Sequence, residues 1–195
     1  MADDLSLDLP PSATCLILGD NGSGKTTLGK LLTGALRPQS GAVLVDGQPI
    51  HDIPVSRRPR HAIYMGQTSY LQFFRTSIAE EIIFALELAG IPNERVDVAY
   101  QAFHLPEDRT LKPMDLAYTE MWRLQLLLLA VVFNPSVLFI DEVVAPSSSF
   151  QKDALDYVLQ SRTRNGQITL IAYQRALRGL HPRTYELRRG KLHEA

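Results

Sequence analysis

The sequence predicts an α/β domain: a mostly parallel sheet flanked by helices, with an inserted helical subdomain and a short β region toward the N-terminus. Three observations carry that expectation. Short apolar runs suited to buried strands alternate with segments of helical periodicity. A glycine-rich turn, Gly19-Asp20-Asn21-Gly22-Ser23-Gly24-Lys25-Thr26-Thr27, stands between one such run and a helix. A second apolar run ends in adjacent carboxylates, Asp141-Glu142.

The elements follow in order. Cys15-Leu16-Ile17-Leu18 is a buried strand, and after the glycine-rich turn Leu28, Leu31, Leu32, Ala35 and Leu36 recur at helical spacing until Pro38. Val43-Leu44-Val45-Asp46-Gly47 reads as a strand entering a tight turn, and Ala62-Ile63-Tyr64-Met65 as another ending near Gly66. From Ile78 to Leu88 an amphipathic helix sets Ile78, Ile82, Ile83, Ala85 and Leu86 on one side, and Gly90 and Pro92 end it. Helix resumes near Val96. Pro106 and Pro113 interrupt the chain before a long apolar helix from about Tyr118 to Phe133, closed by Asn134-Pro135. Val137-Leu138-Phe139-Ile140 and Ile168-Thr169-Leu170-Ile171-Ala172 are strands separated by a helix around Ala154 to Leu159. The expected division is a core lobe of about 1–69 and 123–195 and a helical subdomain of about 70–122.

The segment Gly19 to Thr27 fits G-x-x-x-x-G-K-S/T at every constrained position, the pattern of a phosphate-binding loop, so the expected core is that of a P-loop NTPase. Glycines let backbone N–H groups crowd around phosphates, Lys25 reaches the terminal phosphates, and the Thr26 hydroxyl ligates Mg²⁺. Asn21, Gly22, Ser23, Gly24, Lys25, Thr26 and Thr27 are therefore the residues expected to bind a nucleoside triphosphate. Asp141 ends a strand where α/β sheets gather their ligands, so it is an expected holder of Mg²⁺, and Glu142 can polarise an attacking water. The other reading of Asp141-Glu142 is an acidic strand end facing solvent.

Bulk properties narrow the classes of function. With 195 residues, 45% of them hydrophobic, the chain can bury one substantial core. Twenty basic and twenty-one acidic side chains leave a net charge of −1, so no nucleic acid is expected as the main ligand. The single cysteine, Cys15, excludes an internal disulfide and sits where packing is its role. Leu126 to Phe133, the longest apolar run, is too short to span a bilayer, and Met1-Ala2-Asp3-Asp4 lacks the basic start of a signal peptide. A cytoplasmic chain is expected, peripheral on the inner face of a membrane only through a partner.

The loop GDNGSGKTT, a following Gln67 and the run FIDE resemble the nucleotide-binding subunit of an ABC-type transporter, over nearly the whole chain. Gln67-Thr68-Ser69-Tyr70-Leu71-Gln72-Phe73-Phe74 resembles the glutamine loop of energy-coupling-factor and cobalt-type importer ATPases, and YELRRGKLHEA the family's final strand pair. The resemblance implies ATP and Mg²⁺ as ligands, with Gln67 touching metal and attacking water. It also implies a transmembrane transporter subunit and a second ABC ATPase subunit as partners, in a homo- or heterodimer. Leu71, Phe73 and Phe74 either line a docking groove for the membrane partner or pack under the helical lobe.

Three departures bear on activity. Where the family carries LSGGQ, which meets a neighbour's ATP, this chain has Leu116-Ala117-Tyr118-Thr119-Glu120. Where a serine-led D-loop is expected, it has Val143-Val144-Ala145-Pro146-Ser147-Ser148. The switch histidine aligns with Gln174, a catalytic position by resemblance, which can hydrogen-bond a phosphate oxygen but never carry charge. Only Leu5-Ser6-Leu7-Asp8-Leu9 precedes the core, leaving no evident aromatic for adenine. The expectation is an ATPase with weak activity alone, driving transport by nucleotide-dependent dimer closure. The alternative is a nonenzymatic module whose interactions respond to nucleotide.

Overall fold

A computed structural model describes residues 5–66, 73–91, 96–141, 149–173, 182–188 and 190–195. The chain divides into two compact units. The first comprises Met1–Gly66, Pro135–Ala145 and Leu159–Ala195; the second comprises Gln67–Asn134 and Pro146–Val158.

The first unit holds β1 (Thr14–Leu18), α1 (Lys25–Leu32), β2 (Leu44–Val45), β3 (Gln48–Pro49), β4 (Ala62–Met65), β5 (Val137–Asp141), β6 (Ile168–Tyr173), β7 (Arg183–Arg188) and β8 (Lys191–Glu194). Six strands form one sheet in the order β4-β5-β6-β1-β7-β8. All its pairs are parallel except the edge pair β7–β8, and β2–β3 is a separate antiparallel piece. The central strands read as nearly continuous apolar runs, Thr169 of β6 excepted, because parallel strands are covered on both faces. Accordingly Cys15, Ile17, Leu138, Phe139, Ile140 and Ala172 are all 0% exposed. Cys15, Ile17, Leu28, Phe139, Leu170, Tyr185 and Leu187 form one core cluster, against which Leu5, Leu7 and Leu9 pack without joining a strand. A smaller cluster of Val45, Ile50, Ile53 and Ala62 lies under the β2–β3 piece.

Two residues fasten the ends of this sheet. Arg162 is 2% exposed and donates to Thr169 Oγ1 at 2.8 Å and to the carbonyls of Pro135 at 3.0 Å, Ile168 at 2.7 Å and Ser136 at 3.4 Å. It thereby ties the starts of β5 and β6 together. Asp46 Oδ2 accepts from Ser136 Oγ at 2.8 Å and lies 2.7 Å from His61 Nδ1, joining the β2–β3 turn to the approaches of β4 and β5.

The apolar period after Lys25 predicts a helix as far as Pro38, but α1 stops at Leu32. The Thr33 hydroxyl donates back to the Gly29 carbonyl at 2.9 Å, and Gly34 turns left-handed at φ 73°, which ends the helical path.

The second unit is helical. It contains α2 (Ile78–Ala89), α3 (Val96–Ala102), α4 (Tyr118–Leu126) and the first part of α5 (Ser149–Arg164). Ser77 Oγ caps α2 by accepting from Glu80 N at 3.2 Å, and Gly90 closes it at φ 67°. Ile78, Ile82, Ala85 and Leu86 are buried as expected, whereas Ile83, expected beside them, is 52% exposed. The long apolar helix expected to Phe133 is α-helical only to Leu126 and continues as a π-helix over Leu127–Val132, with Phe133 N bonded to Leu128 O at 3.0 Å. The LLLAVV run is apolar on every side, so a widened turn leaves no polar group misplaced. The helix expected around 154–159 extends over the whole of Ser149–Arg164, because its polar flanks carry no apolar signal. Among the described residues no helix is long and apolar enough to cross a membrane.

Candidate functional site

β1 ends at Leu18, α1 begins at Lys25, and residues 19–24 turn the chain between them. Gly24 precedes the helix with φ 106° and ψ 11°, a left-handed conformation that a side chain disfavours, and this lets the chain enter α1 directly from the turn. The helix opens with Leu28 N donating to Gly24 O at 2.8 Å. The N–H groups ahead of Leu28 have no acceptor within the helix, and they lie at the positive end of its dipole, an anion-binding arrangement.

Lys25 is 9% exposed, and its Nζ donates to the loop carbonyls of Gly19 at 2.7 Å and Asp20 at 2.9 Å. The cation is thus held over the loop itself. Thr26 Oγ1 donates to Asp141 Oδ2 at 2.6 Å, across 115 residues of sequence. Phosphate loop and strand-end carboxylate, expected to meet, are in contact within one unit. Asp141 is the last residue of β5 and is 2% exposed, which excludes the reading of a solvent-facing acid at that position.

A third side chain joins them. Tyr64, on β4, donates its hydroxyl to the same Asp141 Oδ2 at 2.5 Å. Burial and the neighbouring Asp141 carboxylate both push the Tyr64 hydroxyl pKa upward, so it stays a donor. The sequence marked Tyr64 only as a strand residue. A phenol in a short buried strand must find a polar partner, and that is the one signal the sequence carries for this residue.

With Oδ2 taking both donors, Asp141 Oδ1 is buried with no hydrogen-bond partner among the described residues, as is Ser23 Oγ in the loop. A buried carboxylate oxygen without a partner, beside a threonine hydroxyl, is the all-oxygen donor set that a hard divalent cation takes. Among the described residues no group of three or more His, Cys, Asp or Glu offers a more enclosed metal cage. Mg²⁺ fits this pair, since it is commonly held by one or two side chains with waters and phosphate oxygens completing its shell.

Gln67, Glu142 and Gln174, expected as metal or catalytic residues, lie outside the described residues, as do Leu71 and residues 143–148. Phe74 is 71% exposed, packs edge-on against Phe84 at 6.2 Å, and through its N–H donates to Glu81 Oε2 at 2.8 Å. The stretch aligned with LSGGQ enters α4. Glu120 Oε2 accepts from Ala117 N at 2.9 Å, capping the helix from within; Tyr118 is 42% exposed and Trp122 3%. Burial pushes the Cys15 thiol up to about 11, which suits a packed and unreactive side chain.

The model of the family described as "ABC transporter" matches residues 2–145. The spermidine/putrescine import ATP-binding protein PotA of Mannheimia succiniciproducens is 32% identical over 179 residues, which are 90% of this chain and 44% of that protein. Its namesake in Bacillus thuringiensis is 30% identical over 171 residues, 86% of this chain and 51% of that protein. The chain therefore spans about half the length of these curated relatives. Among solved structures, an ATP-binding subunit of an ABC transporter superposes with a TM-score of 0.84 at 19% identity, covering 97% of this chain and 80% of that one. cbiO1 from Clostridium perfringens, part of the ABC transporter complex cbiONQ, superposes with a TM-score of 0.78 at 21% identity, covering 95% and 77%. The fold is thus that of these two structures, a P-loop core whose mixed sheet is mostly parallel.

Proposed function

We propose a function from the premise that this chain belongs to the ABC transporter family: it is the ATP-binding subunit of a membrane transporter. The observation that carries the reading is the Lys25–Thr26–Asp141 constellation, a lysine over a glycine-rich loop with a threonine–carboxylate pair beside it. In this reading the turn of Asn21, Gly22, Ser23 and Gly24 and the start of α1 at Lys25, Thr26 and Thr27 wrap the phosphates of ATP with backbone N–H groups. Lys25 exchanges the loop carbonyls for phosphate oxygens, at little cost because both are hydrogen-bond acceptors. Thr26 and Asp141 hold Mg²⁺, which when bound neutralises charge on the terminal phosphates. Gln67 orients the attacking water, Glu142 takes its proton, and Gln174 donates to a γ-phosphate oxygen.

The partners in this reading are a transmembrane subunit, which brings the chain to the inner face of a membrane, and a second ATPase subunit. The core lobe binds nucleotide, and the helical lobe of about 70–122, with exposed Phe74 near its start, meets the membrane partner. α4 gives a reason to expect asymmetry between the two ATPase subunits. Glu120 caps its N-terminus with a carboxylate, and Tyr118 and Thr119 stand where glycines would let a neighbour's phosphate approach. A carboxylate already on that N–H repels the anion it would otherwise attract.

The test is turnover by the chain alone and after addition of a family subunit with an intact LSGGQ. Slow hydrolysis alone, rising on addition and abolished by Glu142→Gln in this chain, is expected. Turnover by the isolated chain equal to that of an intact family dimer would overturn the asymmetry.

A further inference from the structure

We propose that Tyr64 is a positioning residue for the cation-binding carboxylate, its hydroxyl holding Asp141 so that Oδ1 faces the metal. The inference rests on the nucleotide reading above and adds to it a residue that no motif of the loop or the strand end contains.

Both hydrogen bonds to Asp141 converge on one oxygen, Oδ2, from Thr26 Oγ1 at 2.6 Å and Tyr64 OH at 2.5 Å. The other oxygen, Oδ1, is buried and without a partner. A carboxylate gripped on one oxygen from two directions cannot easily rotate about its Cβ–Cγ bond, so the free oxygen keeps a fixed direction. The two donors differ in what else they do. The Thr26 hydroxyl is itself a ligand of the expected cation, and its position is set by the start of α1. Tyr64 has no task on the nucleotide, and its place is set by the sheet.

That setting is specific. Tyr64 pairs in register with Phe139 on β5, and the two rings stack with centroids 6.0 Å apart at 20°. On the other side, Gly29 of α1 leaves room for them. A Cβ there would sit 2.5 Å from Phe139 Cδ1 and 2.9 Å from Tyr64 Cδ2. The phenol hydroxyl therefore reaches Asp141 from a ring fixed by strand register, aromatic stacking and a bare helix face. Partners of this kind behind a metal ligand typically matter by 10–100-fold in metal affinity.

The experiment uses the full chain with Mn²⁺ as the spectroscopic probe. Mn²⁺ affinity is measured by electron paramagnetic resonance at saturating ATP, and ATP affinity separately in EDTA. Tyr64→Phe keeps the ring and removes the hydroxyl; Tyr64→Leu removes both. The expected result is about tenfold or greater weakening of Mn²⁺ binding in both variants, with ATP affinity in EDTA unchanged. Only Tyr64→Leu should also lower the melting temperature. Tyr64→Phe binding Mn²⁺ as tightly as wild type overturns the proposal, and so does an equal loss of ATP affinity in EDTA. A wild-type chain that binds ATP neither with nor without Mn²⁺ overturns the nucleotide reading and this proposal with it, a failure distinct from the first two.

Discussion

Gly29→Ala pits two known effects against each other, and the structure decides between them. In a helix interior alanine is favoured over glycine by about 1 kcal/mol, so at an open site the substitution would stabilise α1. At residue 29 the new Cβ would lie 2.5 and 2.6 Å from two atoms of the Phe139 ring and 2.9 Å from Tyr64 Cδ2. Phe139 is 0% exposed, packed with Cys15, Ile17, Leu28 and Leu170, and has no space to retreat. Overpacking of this kind costs about 1–3 kcal/mol, and the rigidity of two rings puts the site in the upper half of that range. The net expectation is a loss of about 1–2 kcal/mol, or roughly 2–8 °C in melting temperature for a chain of this size. Thermal and urea unfolding of wild type, Gly29→Ala, Phe139→Leu and the double variant would measure it. Phe139→Leu makes room for the new methyl group, so the double variant should recover at least about 1 kcal/mol relative to additivity. A higher melting temperature for Gly29→Ala would refute the reasoning, because it would mean that the rings yield and that register does not fix them.

Other expectations concern the rest of the chain. Burial holds the pKa of Arg162 at about 10, a penalty on its charge of about 3 kcal/mol, while its four donated hydrogen bonds return more. Arg162→Met should therefore cost about 2 kcal/mol, and Arg162→Lys more, since lysine keeps the buried charge and loses the fork. Urea midpoints in the reverse order would contradict this. With its thiol pushed up to about 11 and 0% exposed, Cys15 should resist a thiol reagent at pH 8 in the native protein and react fully in urea. Hydrogen bonds from the Thr76 hydroxyl and N–H hold the Glu80 carboxyl below its ordinary 4.5. Its folded pKa is depressed, so its contribution to stability is present above 4.5 and is lost as pH falls through the folded value. Glu80→Gln should flatten the acid limb of the stability curve below about pH 4.5 and leave its shape at pH 7 unchanged.

What could be read from the sequence divides along physical lines. β1, β5 and β6 were legible because strands covered on both faces are largely apolar, and a run such as Val137 to Ile140 has few other uses. Thr26 and Asp141 were legible as partners because each stands at a chemically marked end, one of a phosphate loop and one of a strand. The end of α1 was not, since Leu36 continued the apolar period while Gly34 broke the backbone path, and periodicity does not weigh φ. The π-helix over Leu127–Val132 was also hidden, because an all-apolar run fits a turn of any width. Tyr64 was out of reach for another reason. Its bond to Asp141 spans 77 residues and depends on the pairing of Tyr64 with Phe139, a register that only the folded sheet specifies. Capping of α4 by Glu120 could have been anticipated, as a glutamate three residues into a helix commonly reaches back to the N-cap N–H.

The central claim is that this chain binds ATP through the loop at Gly19 to Thr27, with the cation on Thr26 and Asp141. Calorimetric titration of ATP into the full chain, with and without Mg²⁺, tests it most directly. The expected result is one site, tightened by Mg²⁺ in wild type, lost in Lys25→Ala and no longer tightened by Mg²⁺ in Asp141→Asn. Binding that Lys25→Ala leaves intact, or no binding by the folded wild-type chain, would contradict it.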